Sequence, residues 1–207
     1  MAKPASSDWK KLVGLARYLK GAPRCVWKFE WQEASELIPP TGYSDSDWAG
    51  DRKTGKSTSG GVVMIGRHLI KAWSRTQDAI TLSSAEAELV ALGKLAMEIL
   101  GIRSMCEEWH MSKAEQTSSL LADASAALSI AKRQGAGKMR HINVKSLWLQ
   151  DKSVQKILDY KNVKGEDNPA DGLTKHVRQE LLERYLQMEG LKIESDRADA
   201  SLELAGN

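Results

Sequence analysis

The sequence predicts an α/β fold in which a mixed sheet containing an antiparallel hairpin is covered by helices. Three strand-like segments follow one another between Tyr43 and Trp73, and helical and strand-like segments alternate after them. The order β-β-β-α-β-α-α-β-α gives a mixed sheet with helices on its faces. Composition agrees: 42% hydrophobic and 28% charged residues in a chain of 207 allow a buried core and argue against wholesale disorder.

The elements run in order as follows. Asp8 to Lys20 reads as an amphipathic helix, with Trp9, Leu12, Leu15, Ala16 and Leu19 at helical spacing. Gly21 and Pro23 stop it. Cys25 to Trp31 alternates bulky and polar residues like a strand, and a loop surrounds Pro39-Pro40. A strand opens at Tyr43. Gly60 to Ile65 and Leu69 to Trp73 form a hairpin about Gly66-Arg67-His68. Ser83 or Ser84 caps a long helix, with Glu86 placed to close a capping box. Leu92, Leu95, Ile99 and Ile102 mark its buried face. Ser118 to Ala122 is a strand and Ala124 to Lys132 a helix, broken off at Gly135-Ala136-Gly137. His141 to Lys152 reads as helix and Val154 to Tyr160 as strand. Val177, Leu181, Leu182, Tyr185 and Leu186 suggest a last helix. The acidic, small-residue sequence after Gly190 suggests a frayed tail. The chain thus divides into residues 1–40, a main domain over 41–176, and a C-terminal helix with a flexible tail over 177–207.

The formal charge of +3 excludes a bulk polycation and leaves room for a local basic patch. Cys25 and Cys106 form no C-x-x-C, which speaks against a zinc knuckle or a redox pair. Two reduced, partly buried thiols in an intracellular compartment are expected. No apolar run approaches the roughly 20 residues of a membrane span. Met1-Ala2-Lys3-Pro4 begins no hydrophobic region, so neither membrane insertion nor a secretory signal is expected.

Four acidic residues stand where strands end or helices begin: Asp45, Glu88, Asp123 and Asp171. Singly, three of them have ordinary explanations. Glu88 and Asp171 suit the first turn of a helix, and Asp123 suits a cap. Asp45 is harder to dismiss, because a carboxylate among apolar neighbours in a central strand is costly unless paired or ligated. Together they suit hard divalent cations, which prefer carboxylate oxygens. Two such ions about 3.5–4 Å apart can act on both sides of a phosphodiester.

The motifs Tyr43-Ser44-Asp45-Ser46-Asp47-Trp48-Ala49-Gly50-Asp51, Lys56-Ser57-Thr58-Ser59-Gly60, Leu82-Ser83-Ser84-Ala85-Glu86-Ala87-Glu88, Lys138-Met139-Arg140-His141-Ile142 and Ala170-Asp171-Gly172-Leu173-Thr174-Lys175 occur in that order. The ordered set resembles the ribonuclease H domain of copia-type long-terminal-repeat retrotransposon polyproteins, from about Trp9 to Lys175. Residues 1–40 resemble the segment that joins reverse transcriptase to ribonuclease H there.

The resemblance implies a ribonuclease H-like fold: a five-stranded mixed sheet, antiparallel hairpin plus parallel strands, flanked by helices. It implies an endoribonuclease that cuts the RNA strand of RNA–DNA hybrids with two Mg²⁺ or Mn²⁺ ions. By motif position Asp45, Glu88, Asp123 and Asp171 are the catalytic metal ligands, with Asp45 bridging both ions. Asp47 lies nearer the strand end, and Glu86 lies about 200° round the helix from Glu88. Two departures stand out. Ala124-Ser125 replaces a frequent Asn-Gln, and Lys164-Gly165-Glu166-Asp167 lacks the histidine that cellular ribonucleases H carry before the last aspartate.

Lys132, Arg133, Lys138 and Arg140 can grip hybrid phosphates. Thr58, Ser59 and Ser84 can contact phosphate or the 2′-hydroxyl. His141 is expected to be a buried imidazole, and Trp48 and Trp73 core residues. The partners implied are the hybrid and the reverse transcriptase portion of the same polyprotein. The implied location is a cytoplasmic virus-like particle or the nucleus. A catalytically silent interaction module and a related nuclease acting on DNA are the alternatives.

Overall fold

The computed structural model describes residues 5–31, 39–111, 116–135 and 144–194. They form two compact units, one of residues 5–29 and 190–194 and the other of the described residues between 30 and 189.

In the smaller unit, helix α1 (Ser6–Gly21) is followed by strand β1 (Arg24–Trp27), which pairs antiparallel with β7 (Leu191–Glu194). Residues 191–194 are therefore a strand rather than the start of a frayed tail. Arg24 and Glu194 pair at the end of this ribbon, and the rings of Trp27 and Phe29 lie 4.8 Å apart. The apolar side chains of α1 are open: Trp9, Leu12, Leu15 and Leu19 are all more than half exposed.

The larger unit is built on β2 (Thr41–Asp51), β3 (Lys56–Ile65), β4 (His68–Thr76), β5 (Ser118–Ala122) and β6 (Leu158–Asn162), in the spatial order β4-β3-β2-β5-β6. β2, β3 and β4 are antiparallel neighbours, while β5 pairs parallel with both β2 and β6. With its flanking helices this is the ribonuclease H-like arrangement that the sequence led us to expect. Two residues turn the chain from β3 to β4. Gly66 takes the left-handed conformation there, at φ 60°, which a residue without Cβ adopts freely.

Helix α2 (Ser84–Glu108) lies across the sheet centre; α3 (Ser125–Lys132) and α4 (Val144–Val154) complete the layer. Leu92, Leu95 and Ile99 of α2 meet Leu120, Leu128, Leu149, Leu158 and Tyr160 in the core. Fully burying each such aliphatic side chain contributes roughly 1.5–3 kcal/mol. A Cβ on Gly42 would fall 2.5 Å from Leu95, so the missing side chain lets α2 press onto β2.

Three further expectations differ from the structure. Helix α4 runs to Val154, and the chain turns at Lys156, with φ 56°, before β6 begins at Leu158. Trp48 is 48% exposed, and its indole N–H donates to the Thr81 carbonyl at 3.1 Å, so it is a surface strut and not a core residue. Asp171 opens no α-helix: it lies in a 3-10 turn, Pro169–Leu173, and the last helix, α5, begins at Gln179 and ends at Met188. Trp73 does pack against the core. Cys106 is buried, Cys25 is exposed, and both are free thiols. Among the described residues no helix is long and apolar enough to cross a membrane.

Candidate metal centre

β2 is the central strand, and its side chains alternate between the two sheet faces. Asp45 sits opposite Gly60 of β3. Parallel pairing of Tyr43 with Leu121 carries the register forward, so that Asp123, just past the end of β5, comes level with Asp45. Two adjacent parallel strands thus deliver two carboxylates to one place. Asp45 is 1% exposed and Asp123 is half-buried.

The third carboxylate comes from the start of α2. Ser83 caps this helix, its hydroxyl accepting the Glu86 N–H at 3.2 Å. Glu86 reaches back past the N-cap to accept the Leu82 N–H at 2.7 Å, so the expected capping box on Ser83 is not closed, and Glu88 is left for the sheet side. The buried Gln77 amide donates to Ser59 Oγ and to the Ala87 carbonyl, both at 2.9 Å, and ties the first turn of α2 to β3. Glu88 Oε1 then accepts the Ser46 N–H at 3.2 Å. One ligand atom from each of Asp45, Glu88 and Asp123 lies within 4.8 Å of the others.

Asp171 comes up beside Asp45 through the 3-10 turn, but it is not one of the three carboxylates that meet within 4.8 Å. Asn168, fully buried, donates from Nδ2 to the Ser44 carbonyl at 3.0 Å and accepts the Ala170 N–H at 3.3 Å, which pins the turn to β2. Thr174 Oγ1 donates to Asp45 Oδ2. Lys175 Nζ lies 2.9 Å from Asp171 Oδ2 and 3.7 Å from Asp45 Oδ1. Asp123 Oδ2 and Asp171 Oδ2 both lie under 4 Å from where a Cβ on Gly165 would be. Asp47 stays outside the group and folds over Gly50.

Burial, with Asp45 and Asp123 close by, pushes the Glu88 carboxyl up to about 8. Burial and the Asp45 charge push Asp171 up to about 6, against the pull of Lys175. Burial lowers the Lys175 ammonium, but Asp171, Asp45 and Asp123 together outweigh it, and the net direction is up. Like charges held in a site that disfavours them are what a bound cation relieves.

A divalent cation fits this donor set. The donors are all carboxylate oxygens, the chemistry hard cations prefer. Two of the buried oxygens, Glu88 Oε2 and Asp171 Oδ1, have no hydrogen-bond partner among the described residues. Such groups are costly unless something ligates them. The structure therefore holds a carboxylate cluster capable of coordinating a divalent metal.

Raised carboxyl pKa values set the sign of the pH dependence without metal. A group that holds its proton more tightly when folded stabilises the folded chain below its ordinary value, and that stability is lost as pH rises through the folded value. For Glu88 the window runs from about 4.5 to about 8. Glu88→Gln is expected to flatten this decline. In chelator at pH 8 it should raise the melting temperature by several degrees, because most of the stability carried by the Glu88 proton is gone by then and each kcal/mol moves a chain of this size by about 2–4 °C. Unchanged melting at every pH would show that Glu88 is solvated.

The other expected contact residues are less gathered. Ser84 and Lys132 are exposed, and Thr58 and Arg133 are half-buried. Ser59 is 3% exposed with its hydroxyl engaged by Gln77. Lys138, Arg140 and His141 lie outside the described residues. The sequence reading missed Asn168, Thr174, Lys175 and Gln77. The Asn168-Pro169 pair and the i,i+4 spacing of Asp171 and Lys175 were the available signals.

No protein-family model matches the chain. Over 192 residues it is 26% identical to the retrovirus-related Pol polyprotein from transposon TNT 1-94 of Nicotiana tabacum, a match covering 92% of this chain and 14% of that protein. It is 26% identical over 191 residues to the Pol polyprotein from transposon RE2 of Arabidopsis thaliana, covering 92% of this chain and 13% of that protein. The chain thus spans a small part of the polyproteins it matches. Among solved structures it is similar to the N-terminal RNase H domain of a Mycobacterium tuberculosis protein, with a TM-score of 0.47 and 16% identity over 72% of this chain and 97% of that one.

Proposed function

We propose that this ribonuclease H-like domain, related to retrotransposon Pol polyproteins, hydrolyses the RNA strand of RNA–DNA hybrids. The observation that carries the reading is the meeting of Asp45, Glu88 and Asp123 within 4.8 Å at the end of the central parallel strands. Asp45, Glu88, Asp123 and Asp171 would hold two divalent ions, Mg²⁺ or Mn²⁺. When bound, these ions supply Lewis acidity that eases deprotonation of water and offsets charge on the leaving oxygen.

The chain's own residues provide the setting. The Ser46 N–H fixes one Glu88 oxygen and leaves the other for coordination. Thr174 holds one Asp45 oxygen, and Asn168 keeps the turn bearing Asp171 against β2. This prior fixation matters because a site held in place needs no reorganisation during the reaction. Lys132, Arg133, Lys138 and Arg140 would neutralise phosphates of the hybrid. Thr58 and Ser84 are the proposed hydroxyl contacts, whereas Ser59 is buried with its hydroxyl accepting from Gln77. The reverse transcriptase portion of the same polyprotein is the proposed protein partner.

The test is a cleavage assay of the full chain on labelled RNA–DNA hybrid, double-stranded RNA and double-stranded DNA, each with Mg²⁺ and with chelator. Metal-dependent cutting of the hybrid's RNA strand alone is expected, leaving 5′-phosphate and 3′-hydroxyl ends. Cutting of double-stranded DNA instead would move the reading to a DNA nuclease. Hybrid binding without cutting would make the domain a silent interaction module.

A further inference from the structure

Asp45 belongs to two groupings at once. With Glu88 and Asp123 it forms the carboxylate cluster, and with Asp171 it brackets the Lys175 ammonium. Among the described residues no lysine or arginine pairs with Glu88 or Asp123 in the first grouping. The second is filled by a side chain that starts in the segment just after the turn, with Nζ 2.9 Å from Asp171 and 3.7 Å from Asp45. Asp171 is 6% exposed, and its second oxygen, Oδ1, is buried without a partner among the described residues. This half of the site therefore still offers a donor that the lysine leaves unused. The Lys175 side chain is 47% exposed. Its flexible four-carbon stem lets the ammonium leave for solvent without moving the backbone, which Thr174 ties to Asp45.

We propose that Lys175 is a tethered counter-ion that fills the Asp45–Asp171 half of the metal centre, so that the two halves load unequally. The first divalent ion enters among Asp45, Glu88 and Asp123. The second binds only as the Lys175 ammonium leaves Asp171. Lys175 is thus a positioning residue: it holds Asp45 and Asp171 together while the site is unloaded and sets the metal concentration at which loading is complete. The inference rests on the metal-centre reading above.

The experiment is a Mn²⁺ titration of the full chain, with free Mn²⁺ read by electron paramagnetic resonance and no substrate present. Wild type is expected to show one tight ion and a second weaker by at least about tenfold, since a unit charge some 4 Å away opposes the second ion. Lys175→Met should tighten the second ion by a similar factor, whereas Lys175→Arg, which keeps the charge, should not. Two equally tight ions in wild type would overturn the proposal, and this outcome needs no variant to fold. Failure of Lys175→Met to tighten or add a second ion would overturn it as well, leaving the metal centre intact. No bound Mn²⁺ in any of the three proteins would overturn the metal-centre reading, and this inference with it.

Discussion

Replacing Asp123 by asparagine is expected to lower hybrid cleavage by at least about a hundredfold, close to 2.7 kcal/mol in barrier, while hybrid affinity holds or rises. Asparagine keeps the shape of the side chain but offers a neutral amide where a hard cation needs a carboxylate oxygen. The carboxylate stands level with Asp45 at the end of neighbouring parallel strands, within reach of Asp45 and Glu88. Losing it removes a ligand and leaves the core packing untouched, because Asp123 lies beyond the last residue of β5. Removing a negative charge near the phosphates takes away a repulsive contribution to binding. The separation of the two effects follows because bound cations stabilise charge that develops during attack more than they hold substrate. Single-turnover cleavage and equilibrium binding on one hybrid check both halves. Parallel loss of binding and cleavage would assign Asp123 a folding role, and wild-type cleavage would remove it from the ligand set.

Gly60→Ala is expected to damage the site from a position that carries no chemistry. Gly60 pairs with Asp45 across β2 and β3, so both residues face the 3-10 turn. A Cβ there would fall 2.8 Å from the Ala170 carbonyl oxygen, 2.8 Å from Thr174 Cγ2 and 3.0 Å from Leu173 Cβ. The carbonyl is backbone and cannot rotate away, so the turn carrying Asp171, Thr174 and Lys175 must lift from the sheet. Overpacking of this kind costs about 1–3 kcal/mol, which lowers the melting temperature by roughly 2–4 °C per kcal/mol. The effect on cleavage is larger, since displacement by about 1 Å in a catalytic site can cost a hundredfold. Cleavage and thermal melting of this one variant test whether the turn's seat on β3 fixes the site. Wild-type values for both would mean that the turn yields freely and that Asp171 is not held where it is needed.

How much of this was legible in the sequence depended on whether a residue's role was local. Asp45 stood out because a carboxylate within a central strand has no ordinary explanation. Helical periodicity separated Glu88 from Glu86, whose carboxylate turns back to the Leu82 N–H instead of closing a capping box on Ser83. The strand order from Tyr43 to Trp73 and the alternation after it foretold the sheet. The 3-10 turn did not show, because Asn168-Pro169 opens α-helices and tighter turns with the same signals. Trp48 was misread because aromatic size suggests burial, whereas its position near the end of β2 leaves the ring at the surface with its N–H on Thr81. Periodicity in α1 indicated an apolar face but could not say what covers it. The roles of Thr174 and Lys175 depend on Asp45, which is 129 residues from Thr174 in the chain, and no local pattern encodes that meeting.

The most direct test of the metal centre is anomalous scattering from crystals of the full chain grown with Mn²⁺. A peak bounded by carboxylate oxygens of Asp45, Glu88 and Asp123 is the predicted result, with oxygen distances near those of divalent coordination, about 2.0–2.6 Å. Mn²⁺ bound only at other sites, with these three carboxylates unligated, would contradict it.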